Sequence, residues 1–322
     1  SRALVPSWGL RLLDLSWKSL PDNQRAGLIA LLADGLSLDD EPFLETALDD
    51  RSHSVRRKAA ELLAHLPASR LARRMAERID EIVRHTPGAE QPVTLAFPDE
   101  LDPSFIRDGV LPRSGKNVAH LRGLQLIEMV SAVPLDHWTS SWDTAPEDVV
   151  LAMRASLWPR TLTQALCAAA VRQRNERWAL ALLDATGLHE HALRAVPALS
   201  LAACDDVLND WHSLFPEDEP LDKRARLTLF LRQQPGPWSP LMTRRFWRQL
   251  AQLDAAEDQK SDFIVDSLIK QSARSCPPAL LEEGIALLGT LPAAIQSSRA
   301  VREAKTIMEF RQGMLRELVI RD

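Results

Sequence analysis

The stretch from Glu41 to Arg84 constrains the fold more than any other part of the chain. Pro42 stands near a helix start, where its missing N–H costs nothing. Phe43, Leu44, Ala47 and Leu48 recur at helical spacing. Asp49-Asp50-Arg51-Ser52 breaks the pattern, and Ser52 is a natural N-cap for a second helix. That helix places Val55, Ala59, Leu62, Leu63 and Leu66 on one face and ends at Pro67. A third helix repeats the template with Leu71, Met75, Ile79, Ile82 and Val83. An amphipathic pair cannot bury its apolar face alone, so neighbours of the same kind are expected.

The local pattern is an apolar helix, a short Asp-rich turn, then Val-Arg-x-x-Ala-Ala-x-x-Leu-x-x-Leu. Carried by Leu44, Leu48, Asp50, Val55, Arg56, Ala59, Ala60, Leu62, Leu63 and Leu66, it resembles a HEAT repeat. The resemblance implies an all-α fold, an α-solenoid of HEAT-like antiparallel helix pairs. It also implies a structural ladder in which Asp50 and Arg56 bond between successive units. The longer run from Asp49 to Met75, with Pro134-Leu135-x-His137-Trp138 and Gln173-Arg174-Asn175-x-x-Trp178-Ala179, resembles an uncharacterised bacterial family. Members of that family are typically encoded beside a MoxR-type AAA+ ATPase, a von Willebrand A-domain protein and a SWIM-type zinc protein. The resemblance implies a set of protein partners rather than a catalytic residue.

Three segments follow from the punctuation of the chain. Residues 1–86 read as N-terminal HEAT-like helical repeats, including a helix from Pro21-Asp22 to a stop at Gly35. Residues 87–116 form a Pro/Gly-rich insertion or linker, too rich in breakers for a long helix, with Pro92-Val-Thr-Leu-Ala-Phe as a short strand. Residues 117–322 read as a C-terminal helical-repeat region. Its first helix is expected to pack through Val118, Leu121, Leu124, Ile127 and Val130. Its last, from Arg299 to about Ile320, is expected to turn Val301, Ala304, Met308, Leu315 and Leu318 inward.

Composition narrows the function classes. No stretch approaches the roughly 18 apolar residues of a membrane span, and no signal peptide is visible. Cys167, Cys204 and Cys276 are scattered, which argues against a disulfide framework or zinc site and fits a cytoplasmic protein. Cys167, in an apolar helical run, reads as an inert core thiol. The net charge of −5 gives no global nucleic-acid footprint.

Several constellations were weighed for chemistry. Between Arg51 and Arg84 nine arginines and lysines face four acids, so this segment is basic within an acidic chain. Arg51, Arg57, Lys58, Arg70, Arg73, Arg74 and Arg78 form a candidate docking surface for an acidic partner or a phosphate backbone. The plainer reading is a solvated helix face. Trp138 and Trp142, four apart, are a candidate aromatic anchor if exposed and core filling if buried. Asp205, Asp206, Asp210, Glu217, Asp218, Glu219 and Asp222 lack the Asp-x-Asp-x-Asp-Gly order of a calcium loop. His189-Glu190-His191 reads as helical, which would point the two imidazoles apart. Pro112-Arg-Ser-Gly-Lys-Asn lacks phosphate-loop spacing, since Asn117 follows Lys116. No catalytic residue, metal or cofactor is assigned.

The expectation is a non-catalytic helical-repeat scaffold mediating protein–protein interaction in a MoxR-type ATPase-associated complex. The rival is a HEAT-like DNA-binding protein or DNA-lesion glycosylase, which such architectures resemble and which uses Trp, Asp and Arg on a basic concave groove.

Overall fold

The computed structural model describes residue 17 and residues 20–98, 100–110, 118–212, 215, 226–234, 236–252 and 263–319. The fold is all-α, with one two-stranded sheet among the described residues. None of the helices among them is long and apolar enough to cross a membrane. Internal contacts divide the chain into two compact units, Ser1–Ala198 and Leu199–Asp322.

The first unit begins with α1 (Asp22–Leu31), α2 (Glu41–Ala47), α3 (His53–Leu63) and α4 (Arg70–Ile82). The chain leaves α1 through Gly35, whose φ of 72° is the left-handed geometry that glycine adopts without strain. Before α2, Ser37 and Asp40 form a reciprocal capping box. Pro42 lies in the first turn of α2, where no N–H is missed. The apolar spacing then fixes the packing: Val55, Ala59, Leu62 and Leu63 of α3 and Leu71, Met75, Ile79 and Ile82 of α4 are all buried. Ser69 joins the two helices. Its hydroxyl accepts from the Ala72 N–H at 3.2 Å, capping α4, and donates to the Leu63 carbonyl at the end of α3.

Ser52 behaves differently from expectation. It occupies the N-cap position of α3, but its hydroxyl makes no capping bond and meets Ser54 and Asp22 instead. The Asp50 carboxylate occupies the turn and accepts from the Ser52 N–H at 2.8 Å.

The described residues of 83–110 are built from short elements. Val83–His85 (β1) pairs antiparallel with Val93–Leu95 (β2), the expected strand, with Val83 opposite Leu95. Asp102-Pro103 then opens a five-residue helix, α5 (Pro103–Arg107), with the Asp102 carboxylate accepting from the Ser104 N–H. Gly109 follows with φ 87°, and a Cβ there would lie 2.6 Å from Ala60 Cβ. Glycine therefore lets this turn close onto α3.

The unit continues through α6 (Val118–Val130), α7 (Leu135–Trp142), α8 (Pro146–Arg154), α9 (Pro159–Arg172) and α10 (Glu176–Thr186), ending in a 3-10 segment at Ala192–Ala198. The packing face of α6 is rotated from the expected one. Gly123, Leu126, Met129 and Val130 are buried, whereas Val118 is exposed and Leu121, Leu124 and Ile127 are half-buried. The helix docks against both α4 and α9, and Gly123 lies against the Trp158 ring. The α9–α10 hairpin is clasped by the Asn175 side chain, which caps α10 by accepting from the Trp178 N–H. Residues 188–191, expected to be helical, form a turn instead.

The second unit contains α11 (Leu201–Asp210), α12 (Arg226–Gln233), α13 (Pro240–Ala251), α14 (Phe263–Ser275), α15 (Leu281–Thr290), α16 (Ala293–Gln296) and α17 (Arg299–Val319). Helix α17 packs on α14 and α15 through Val301, Ala304 and Met308. Arg311 donates to the Ala273 and Cys276 carbonyls, satisfying acceptors that the end of α14 leaves open. Beyond Arg311 the expected burial fails. Leu318 is 59% exposed, Leu315 is half-buried, and Phe310 and Met314 share the exposed side. At about 1.5 Å per residue, a helix of 21 residues outruns one of 13 residues, so its last turns extend past their support.

Candidate docking surface and the cleft behind it

The basic residues of α3 and α4 separate into two groups. Arg74 donates to both carboxylate oxygens of Asp108 at 2.9 Å and to Glu45 at 3.0 Å. Arg78 lies 2.7 Å from Asp108, and its guanidinium sits 4.5 Å from the centre of the Phe105 ring. Arg107 reaches Asp108, Asp49 and Glu45. Asp108 is 1% exposed, so three guanidiniums converge on one buried carboxylate. Burial alone would depress Arg74, but its bonds to Asp108 and Glu45 outweigh that and hold it protonated. Bonding to Asp49 likewise raises Arg107 despite its burial. Arg74 and Arg78, read from the sequence as docking residues, are therefore the clamp that fastens α5 to α4.

The expected Asp50–Arg56 ladder is also rearranged. The Asp50 carboxylate accepts a two-pronged bond from Arg25 of α1 at 2.8 and 2.9 Å, and both side chains are buried. Desolvation pushes the Asp50 carboxyl up, but the Arg25 fork and the Ser52 N–H prevail and hold it below the usual range. Arg56 donates instead to the main-chain carbonyls of Asp50 and Arg51. The polar tie between helix pairs exists, but Arg25 makes it.

The second group faces outward. Arg51, Arg57 and Arg73 are exposed, and none makes an ion pair with a described residue. Arg70 is loosely held by Glu41 at 3.4 Å, and Lys58 pairs with Glu61 at 2.7 Å. Thus Glu45, Asp50 and Asp108 are drawn into internal bonds and Asp49 into a surface pair with Arg107, while Arg51, Arg57 and Arg73 remain on the surface, as do the acids Glu77 and Glu81 of α4.

Beside Arg57 a cleft of about 240 Å³ opens between α3, α4, the Gly109 turn, α6 and α9. Its floor is apolar, from Leu71 and Met75, and its far wall is Arg172. Arg172 is mostly desolvated, which lowers its pKa, and Glu61 and Glu128 only partly offset this. Its one hydrogen bond among the described residues runs to the Ser131 hydroxyl, with no carboxylate in ion-pair range. Arg57 and Arg172 thus line one cleft together with Glu61, Asp108 and Glu128.

Of the two tryptophans, Trp138 is placed in the core and Trp142 at its edge. Trp138 is 1% exposed and packs edge-on against Trp142 at 5.4 Å. Trp142, half-buried, stacks on His85 of β1 at 4.2 Å. The Nε2–H of His137 donates to the Asp80 carboxylate of α4 at 2.8 Å. This aromatic group fastens α7 to the β1 end of α4 and leaves Trp138 closed to an outside partner.

Among the candidate ligating groups, Asp205 is bonded by the Ser239 hydroxyl. Glu217, Asp218, Glu219 and Asp222 lie outside the described residues, as does the Pro112–Asn117 stretch. No group of three or more metal-ligating side chains occurs among the described residues. Burial raises the Cys167 thiol to about 12, the state of an inert core thiol. Sequence reading missed Arg25, Glu45, Arg107, Asp108 and Arg172. The Arg107-Asp108-Gly109 triplet, following an Asp-Pro helix start, was the available signal for two of them.

This arrangement defines an all-α protein in which packed helix pairs display a patch of unpaired cations over an internal ion network. The chain belongs to a family of unknown function, DUF5691, whose model matches residues 1–318. No curated protein and no solved structure matches it.

Proposed function

We propose that this chain is a non-catalytic scaffold, a HEAT-like α-solenoid that docks an acidic segment of a protein partner across α3 and α4. The observation that carries the reading is the division of charge. Glu45, Asp50 and Asp108 are spent inside, while Arg51, Arg57 and Arg73 stay exposed and make no ion pair among the described residues, and α4 also exposes the acids Glu77 and Glu81. Unpaired surface cations steer an acidic partner and set its register more than they add raw affinity. The cleft beside them sets Arg57 and Arg172 among Glu61, Asp108 and Glu128, so the docking rests on the exposed arginines and not on the cleft. The partners proposed are a MoxR-type AAA+ ATPase or a von Willebrand A-domain protein, within a bacterial cytoplasmic assembly.

The test is co-purification from a bacterial lysate with mass spectrometry, comparing wild type with R51E/R73E. Neither arginine carries a structural bond through its side chain, so the variant should fold with an unchanged melting temperature. Recovery of the ATPase or the A-domain protein by wild type and its loss in the variant is the expected result. Recovery of nucleic acid in its place would transfer the reading to the DNA-binding alternative.

A further inference from the structure

A second basic site lies on the same unit. The turn at 188–191, the first turn of α9 and the end of α8 enclose a hollow of about 120 Å³. It is lined by Arg154, Arg160, Thr163, Thr186, His189 and His191 among others, with no carboxylate among its described lining residues. We infer that this hollow binds a phosphate group, either free phosphate or the terminal phosphate of a small monoester.

The geometry supports an anion in three ways. Because residues 188–191 form a turn rather than a helix, the two imidazoles come to the same side, with ring centres 5.2 Å apart. The His191 N–H donates to Nδ1 of His189 at 3.4 Å, which leaves Nε2 of His189 to carry the proton and donate outward. Arg160 is exposed with no ion pair among the described residues, while Arg154 is held in place by the Ala185 carbonyl. Arg160 is also the second residue of α9, a 14-residue helix whose positive end faces the hollow. A hollow of about 120 Å³ has room for a tetrahedral oxyanion. A metal ion is disfavoured, since two histidines alone would meet it amid Arg154, Arg160 and Arg194.

The charges facing His191 are His189, Arg194, Glu190 and Arg160. Burial first, then His189 and Arg194, lower its pKa, and only Glu190 opposes them. A bound dianion reverses the balance by favouring the imidazolium. The experiment follows the His191 ring protons by NMR across pH, with inorganic phosphate, phenyl phosphate or sodium chloride at matched ionic strength. Phosphate is expected to raise the His191 midpoint by about one pH unit or more, with chloride leaving it in place. R160A should weaken phosphate binding about 10- to 100-fold without altering the fold, since Arg160 supports no other residue. Equal action of phenyl phosphate would identify an esterified ligand, and action of inorganic phosphate alone a free one. A midpoint that phosphate moves no more than chloride does, or an R160A protein that binds as wild type, overturns the inference. Because the hollow shares no residue with the α3–α4 surface, R51E/R73E leaves this result untouched.

Discussion

At the scale of single residues, two buried carboxylates hold the N-terminal helices. Asp50 compensates Arg25, and both are nearly excluded from water. Removing one partner of such a pair leaves an unpaired buried charge, so Asp50→Ala should cost about 3–5 kcal/mol in chemical denaturation. The companion change Arg25→Met in that background should recover much of the loss, since a buried apolar pair is close to neutral; no recovery would mean that Asp50 acts through the Ser52 turn. The same group sets a pH dependence. Its folded pKa lies below its unfolded value of about 3.8. The stability it contributes is therefore fully present above that value and is lost as pH falls through the lower folded pKa. An acid titration of wild type and D50N should show the two stabilities converging only in that acidic window. Gly109→Ala tests the closure onto α3. Its φ of 87° costs a side-chain-bearing residue about 1–3 kcal/mol, and the Cβ would also collide with Ala60. Adding Ala60→Gly should relieve the collision but not the backbone strain.

At the scale of elements, the two serines that precede α3 and α4 have the same sequence signature and different jobs. Ser69 caps α4 and also ties it to α3, so Ser69→Ala should cost about 1 kcal/mol or somewhat more. Ser52 makes no capping bond, so Ser52→Ala should stay within about 0.5 kcal/mol. Thermal denaturation of the pair checks this: equal losses would mean that Ser52 does cap in solution. The contrast also explains why a sequence motif is an incomplete guide. Both serines match the N-cap pattern, but at α3 the Asp50 carboxylate already occupies the turn. The rotated face of α6 has a similar origin. Several faces of that helix carry apolar side chains, so spacing alone does not choose among them.

At the scale of the whole molecule, the net charge of −5 makes the basic surface of α3 and α4 a local feature. Docking through it should weaken as salt rises, since exposed charges interact within a screening length of about 10 Å at 0.1 M. Binding of the co-purified partner should therefore fall between 50 and 300 mM salt, and R51E/R73E should flatten that slope. A salt-independent affinity would place the contact elsewhere. Arg74→Glu should behave differently from the surface variants. It puts a like charge against Asp108 and Glu45, so it should lower the melting temperature rather than change partner binding alone.

The sequence by itself determined that the chain is helical, where the helices of 41–84 start, and which faces of α3 and α4 enter the core; their ends it placed late, since α3 stops at Leu63 before Leu66 and Val83 joins β1. These follow from local spacing, because 3.6-residue periodicity and breakers such as Pro67 act within a few residues. It also located the strand at Val93 and the hairpin at Asn175. Only the tertiary structure decided which charges are spent. Arg25 and Asp50 are 25 residues apart in sequence, Arg74 and Asp108 are 34 residues apart, and Arg172 meets Ser131 across 41 residues. Charge pairing depends on distances of a few ångströms between segments whose separation along the chain carries no information. A run of arginines therefore reads as one surface in sequence, and folding divides it into an internal clamp and an outward-facing remainder.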